Sequence, residues 1–86
     1  MVIITKSEKF VKKNRQDWES LKTIIFKISK KGFSSLSTNE IKVFPNLYRK
    51  TCTDLAEAKS LKLSIDVIFY LNQMVGQAHK HLYSFP

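Results

Sequence analysis

The sequence has few of the residues that interrupt helices: two glycines and two prolines among 86 residues. Short strands joined by frequent turns need such residues at regular intervals, so their scarcity disfavours an all-β fold. Long apolar runs are also missing. No stretch approaches the roughly 20 apolar residues that cross a bilayer, and residues 1–4 are followed at once by charged residues, unlike a secretory signal. These shortages favour helices joined by short loops.

Cysteine is represented by Cys52 alone, which excludes a disulfide within the chain and fits a reducing compartment. The chain is also short. A domain of this size buries about 60–65% of the surface of its unfolded chain, and a deep catalytic cleft is not expected.

Acidic residues are few in the whole chain, and basic residues are concentrated in its first third. Residues 1–31 contain nine Lys or Arg and three Asp or Glu, a balance of +6, while residues 32–86 contain six and four, a balance of +2, which together give +8. Five of the cations are predicted to form a basic face on the first helix: Lys12, Lys13, Arg15, Lys22 and Lys30. Such a face suits nucleic acid, anionic lipid or an acidic protein patch, and charge alone does not choose among them.

Apolar side chains recur at steps of three and four in three segments, which predicts helices at approximately residues 7–30, 38–61 and 65–83. Thr5 or Ser7 can cap the first helix, Ser37 and Glu40 have the spacing of a capping box, and Ser64 can cap the third. Gly32 can take the left-handed conformation that caps the end of the first helix. Pro45 lies about seven residues into the second helix, where we expect a kink or a break.

The short turn at residues 61–64 predicts that the second and third helices pack antiparallel. The predicted fold is therefore a single all-α domain, a three-helix antiparallel bundle. Phe26 and Phe69 fall outside the apolar stripes. Together with Phe33 or Phe85 they are expected to form an exposed patch that can contact a partner or a second copy of the chain.

Five polar residues fall nearest the seam between the second and third helices: Tyr48, Arg49, Asp54, Asn72 and His79. In the antiparallel register Asp54 lies level with Asn72, and Tyr48 lies level with Ala78. We expect a hydrogen bond between Asp54 and Asn72, with Arg49 and the Tyr48 hydroxyl nearby, to fix the register of the two helices.

No pattern for catalysis or for a cofactor accompanies these residues. His79 and His81 are two apart and point roughly 200° from each other on a helix, whereas a helical zinc pair needs a spacing of four. Cys52 has no histidine near it in sequence and is expected to be a buried thiol. Phosphate loops and nucleophile elbows are missing. The sequence predicts no catalytic, cofactor or metal site.

An ordered set of short strings carries a family resemblance. These are Leu-Tyr-Arg-Lys-Thr at residues 47–51, Asp-Leu-Ala at 54–56, Ala58, Tyr-Leu-Asn at 70–72, Ala-His at 78–79 and Leu-Tyr at 82–83. Their order and spacing resemble the N-terminal region of the stage II sporulation protein M family, as does the stretch from Phe10 to Trp18. Pro45, Cys52 and Gly76 depart from that pattern.

The resemblance implies a cytoplasmic helical domain that precedes several transmembrane helices and carries no assigned catalytic residue. These 86 residues are then expected to be the N-terminal soluble part of a longer integral membrane protein, at the cytoplasmic face of the cell membrane. The implied function is a non-enzymatic interaction or scaffold domain. Its expected partners are another protein, a second copy of the chain or an anionic membrane surface.

Two other functions stay open. A small basic nucleic-acid-binding helical bundle would use the same cations, but Asp17 and Glu19 interrupt the basic face and no base-reading helix is evident. An enzyme would need the polar residues of the predicted seam to line a solvent-accessible pocket.

Overall fold

The chain folds as a bundle of three helices, in a computed structural model that describes residues 5–84. The helices are α1 (Lys6–Lys31), α2 (Thr38–Ser60) and α3 (Ile65–Tyr83), with a single 3₁₀ turn (Phe33–Ser35) between the first two. Each helix contacts the other two, and residues 5–84 contain no strand. The prediction of an all-α three-helix bundle is confirmed, with every helix end within one residue of its predicted position.

The connection between α1 and α2 has the predicted capping box but not the predicted glycine conformation. Gly32 ends α1 with φ 78° and ψ 179°, outside the left-handed helical region. Ser37 and Glu40 form a complete capping box, with bonds of 3.1 Å from the Glu40 N–H and 2.9 Å from the Ser37 N–H. The Lys27 ammonium lies 2.8 Å from the Glu40 carboxylate. This hydrogen bond, with the Ser37 N–H, holds the pKa of Glu40 below its usual value. The capped start of α2 is therefore tied directly to the end of α1.

The turn between α2 and α3 is tight and is anchored to the start of α1. Lys62 takes a positive φ of 54°. Ser64 occupies the N-cap position, but its side chain makes no capping hydrogen bond, so that part of the prediction is wrong. Its backbone N–H donates instead to the Ser7 hydroxyl at 2.9 Å, while Thr5 caps α1. One hydrogen bond thus closes this end of the bundle.

The core lies between the three helices and uses the predicted stripes. Leu21, Ala58 and Leu71 are fully buried, and Trp18 and Phe44 are 3% exposed. The rest of the buried apolar set is Phe10, Ile24, Ile25, Ile28, Leu36, Leu55, Leu63, Met74 and Ala78. These contacts bury the inward face of each of the three helices. None of the helices within residues 5–84 has the length and apolar character that crossing a membrane requires.

Two of the aromatic residues predicted to lie on the surface are indeed exposed. Phe26 is 61% exposed on α1 and Phe69 is 62% exposed on α3. Phe33 is half-buried, and Phe85 lies outside the described residues. The two exposed rings belong to different helices, Phe26 to α1 and Phe69 to α3.

Of the kink or break predicted at Pro45, the break is absent, because α2 continues through this residue as one helix. Proline has no N–H for the Ile41 carbonyl, but Ile41 is 50% exposed, so water can reach that side of the helix. The next residue towards the N-terminus, Phe44, is 3% exposed and holds the helix against the core. Tertiary packing therefore overrides the local preference of proline.

Replacing Pro45 with alanine is expected to raise the free energy of unfolding by about 1–3 kcal/mol. Proline inside a helix costs about 3 kcal/mol relative to alanine, and part of the gain is offset because alanine leaves the unfolded chain more freedom. Urea unfolding followed by circular dichroism measures the change. The control is Lys42→Ala at an exposed site of the same helix, expected within about 0.5 kcal/mol of the wild type. A Pro45→Ala variant no more stable than the wild type would contradict the placement of Pro45 inside the continuous helix α2.

Candidate functional site

Five side chains form a polar cluster between α1 and α2, here called the Lys50 cluster. Its members are Asn14, Asp17 and Trp18 on α1 and Lys50 and Asp54 on α2. The Lys50 ammonium donates to Asp54 at 2.7 Å and to Asn14 at 2.8 Å, and lies 3.2 Å from Asp17. The Trp18 indole N–H donates to the same Asp54 oxygen at 2.9 Å. Asp54 is 4% exposed and Asn14 is 5% exposed.

The geometry of the cluster follows from spacing on the two helices. Asn14 and Trp18 are one turn apart on α1, as are Lys50 and Asp54 on α2, so each pair faces the other helix. The Asn14 amide donates to the Phe10 carbonyl at 2.9 Å, which turns its oxygen towards Lys50. No buried side-chain nitrogen or oxygen in residues 5–84 lacks a hydrogen-bond partner. The cluster therefore compensates the cost of burying Asp54.

The electrostatics of the cluster keep Lys50 charged. Burial lowers the pKa of its ammonium, but the hydrogen bonds and charges of Asp54 and Asp17 outweigh burial and raise the pKa above the ordinary value of 10.5. A nucleophilic or basic lysine needs the opposite shift. The arrangement is suited to joining two helices through a satisfied buried charge.

The prediction of a hydrogen bond between Asp54 and Asn72 is wrong, because Asp54 bonds to Trp18 and Lys50 instead. Asp54 points towards α1, where Trp18 bonds to it, while Asn72 is exposed on α3. The register of α2 and α3 decides only which residues lie at the same level along the helix axes. Because α2 contacts both α1 and α3, a buried residue of α2 can face either helix. Asp54 occupies the edge that meets α1.

Of the other predicted seam residues, Tyr48 and His79 are close to each other, whereas Arg49 is exposed to solvent. The Tyr48 ring lies 6.2 Å from the His79 ring, which lies 4.5 Å from the Tyr83 ring. Burial, together with the neighbouring Cys52, raises the pKa of the Tyr48 hydroxyl. Arg49 is exposed and bonds to Asn46. The residues that an enzyme would need at the seam do not meet in one place.

Cys52 is half-buried and free, and His81 lies 3.3 Å from the Ser29 hydroxyl. Within residues 5–84, no three His, Cys, Asp or Glu side chains come together as metal ligands.

Sequence reasoning missed Lys50, Asn14 and Trp18 as partners of Asp54. Two signals pointed to them. Asn14 is a polar residue in the middle of the apolar stripe of α1, and Lys50 precedes Asp54 by four residues. Together they indicate a buried polar contact that needs a partner on a neighbouring helix.

The predicted basic face is exposed along the solvent side of α1. Lys12, Lys13, Arg15, Lys22 and Lys30 all lie at the surface. Lys12 and Lys30 are about five turns apart and point the same way, and the fully buried Leu21 lies about two and a half turns from each, on the opposite side.

Most cations of α1 have no acidic partner. Of its nine Lys and Arg, Lys27 pairs with Glu40, and the other eight form no ion pair with any described residue. Lys30 instead lies 5.9 Å from the centre of the exposed Phe26 ring. Glu8 and Glu19 lie among these cations and reduce the charge locally.

A family model described as a domain of unknown function, DUF8413, matches residues 8–84. The match includes all of α2 and α3 and nearly all of α1. No curated protein and no solved structure matches the chain significantly.

Proposed function

The chain belongs to the DUF8413 family, and we propose that it acts as a non-enzymatic interaction domain whose basic face binds an anionic membrane surface. One observation carries the proposal: the cations opposite buried Leu21 are exposed and lack acidic partners among the described residues. The sequence resemblance to stage II sporulation protein M adds a location, the cytoplasmic face of the cell membrane, as the N-terminal part of a longer integral membrane protein.

The exposed aromatic ring beside these cations favours lipid over nucleic acid. Phe26 is 61% exposed and lies next to Lys30 on the outside of α1. Surface helices that bind membranes combine Lys and Arg with an aromatic or aliphatic side chain that reaches the headgroup region. Duplex nucleic acid offers no comparable apolar layer to such a ring.

The expected affinity is modest. Each Lys or Arg close to an anionic leaflet contributes about 1 kcal/mol, and the attraction falls off within a Debye length. Five cations opposed by two carboxylates then give roughly 3 kcal/mol, which corresponds to millimolar binding. Electrostatic contact of this strength orients a domain at a membrane better than it recruits one.

Flotation with lipid vesicles tests the proposal. We expect the chain to bind vesicles of phosphatidylcholine with phosphatidylserine at low salt, to bind phosphatidylcholine alone far less, and to dissociate as salt is raised. The triple variant Lys12→Gln, Arg15→Gln, Lys22→Gln loses about 3 kcal/mol of binding free energy and is expected to bind about a hundredfold less.

The matched control carries the same change of charge elsewhere. Lys42→Gln, Lys59→Gln and Lys62→Gln change three exposed lysines of α2 and its following turn, and their combination is expected to bind vesicles within about twofold of the wild type. Equal losses in both triple variants would show that net charge, and not the basic face, governs binding. Tighter, salt-sensitive binding to mixed-sequence duplex DNA or RNA than to vesicles would replace the proposal with the nucleic-acid-binding alternative.

A further inference from the structure

The helix α3 carries a second stripe on the side that faces away from the core. Its members recur at steps of four and three, and we call them the outer stripe: Ile65, Phe69, Asn72, Gly76, His79 and Tyr83. All six are exposed, and the three large ones strongly so, at 80% for Ile65, 62% for Phe69 and 71% for Tyr83. Helices with this repeat pack against another helix.

No neighbour among residues 5–84 explains the glycine of the outer stripe. A Cβ at Gly76 would meet no atom within 4 Å. Glycine lowers the stability of a helix interior relative to alanine, so its presence here favours a close neighbour that is not part of this fold. A shallow groove lies over it, lined by Asn72, Gln73, Gln77 and Lys80.

We infer that the outer stripe is a homodimer interface in which α3 packs antiparallel against α3 of a second copy. The stripe is self-complementary about Met74. Ile65 then lies opposite the partner's Tyr83, Phe69 opposite the partner's His79, and Asn72 opposite the partner's Gly76. Large side chains meet at the two ends, and the Asn72 amide enters the groove that the partner's glycine leaves open.

The charges of α3 favour a second copy of the chain as the partner of the outer stripe, and they favour antiparallel packing. Asp66 and Lys80 are the carboxylate and the ammonium of α3, and neither forms an ion pair with any residue in the described part of the chain. They flank the outer stripe on the same side, about four turns apart. A twofold axis at Met74 brings Asp66 within about two residues of the level of the partner's Lys80, and does so twice. In a parallel pair Asp66 and the partner's Lys80 would lie about four turns apart along the helices, and no ion pair could form between them.

The dimer is expected to be weak. The helix α3 has 19 residues, about 28 Å, so a contact between two such helices falls at the low end of specific interfaces. We expect a dissociation constant of about 10–100 µM, which corresponds to a reversible dimer.

Sedimentation velocity over about 1–500 µM tests the inference, with Gly76→Leu as the main variant. We expect the wild type to pass from monomer to dimer, and the leucine to weaken the dimer at least tenfold because it fills the groove where the partner's Asn72 lies. Its melting temperature at low concentration should not fall, since leucine favours the helix and its Cβ meets open space. The control Ala56→Leu adds the same side chain at an exposed position of α2, outside the outer stripe, and is expected to keep the dimer.

A charge exchange tests the register. Asp66→Lys and Lys80→Asp are each expected to weaken the dimer several-fold, and the double variant is expected to restore it because the ion pairs re-form with their signs exchanged. A wild type that stays monomeric over the whole range, or a Gly76→Leu dimer as strong as the wild type, overturns the interface. A double variant no stronger than the single variants overturns the antiparallel register. These measurements use no lipid and are independent of the basic face.

Discussion

Replacing Asp54 with alanine is expected to lower the free energy of unfolding by about 3 kcal/mol. The change removes the carboxylate that accepts from both Trp18 and Lys50, and the indole N–H is left buried without a partner. Removing one member of a buried charged pair costs about 3–5 kcal/mol. The lower figure applies because Lys50 keeps Asn14 and Asp17 as neighbours. Urea unfolding followed by circular dichroism measures the loss.

Two further variants separate burial from charge in this experiment. Asp17→Ala removes another carboxylate from Lys50, but the Asp17 side chain is 43% exposed, so we expect a loss of less than about 1 kcal/mol. Asp54→Asn keeps an acceptor for Trp18 and is expected to fall between the two alanine variants. If Asp54→Ala and Asp17→Ala cost the same, the Lys50 cluster does not join α1 and α2 as described.

The pH dependence of stability gives a second readout of the cluster. The pKa of Lys50 is raised in the folded state above its ordinary value of 10.5, because the ion pairs outweigh burial. Its contribution to stability is therefore complete below about pH 10.5 and is lost as the pH rises through the folded-state pKa. In Asp54→Ala, burial is opposed by Asp17 alone, so this alkaline loss is expected to shrink.

The helices could be predicted from the sequence because local signals agreed with the long-range pattern. The capping box of Ser37 and Glu40, the glycine at Gly32 and the stripes of apolar residues all point to the same ends. A kink or a break was predicted at Pro45 because the rule for proline is local. The helix is not broken because buried Phe44 holds it against the core, and this contact is tertiary.

The partners within the bundle could be predicted less well than the helices. A hairpin turn sets which residues of α2 and α3 lie level, but the side on which α1 packs decides which edge of α2 faces which neighbour. Asp54 was therefore assigned to Asn72 on α3 and not to Trp18 on α1. The outer stripe of α3 could not be predicted for the same reason. The sequence does not show which side of α3 is left exposed, and the structure shows that Ile65, Phe69 and Tyr83 are exposed together.

The two proposed surfaces can operate together. The flank of α3 that carries Asp66 also carries Tyr70, whose ring contacts Trp18 at 6.1 Å, so α1 lies on that side of the outer stripe. In the proposed dimer the twofold axis keeps this side common to both copies, and both α1 helices lie on it. A dimer would then present two basic faces towards one membrane, and two weak electrostatic contacts would act as a stronger one.

Leu71→Ala is expected to lower the free energy of unfolding by about 2–5 kcal/mol, because Leu71 is fully buried among all three helices and its removal leaves a cavity that the bundle can only partly close. Such a loss is a large fraction of the stability of a small domain. Thermal and urea unfolding measure it at low micromolar concentration, below the dissociation constant expected for the proposed dimer.

The matched control for Leu71→Ala lies two residues away on the outer stripe. Phe69 is 62% exposed, so Phe69→Ala is expected to cost less than about 1 kcal/mol in the monomer, although it removes the larger side chain. For self-association, measured at high concentration, the proposed dimer predicts the opposite order. Phe69→Ala should weaken the dimer more than Leu71→Ala does, since Leu71 makes no contact with the partner. Comparable losses of monomer stability in the two variants would mean that the inner and outer sides of α3 have been assigned wrongly. In that case the bundle and the dimer interface would both have to be rebuilt, because each depends on which side of α3 faces the core.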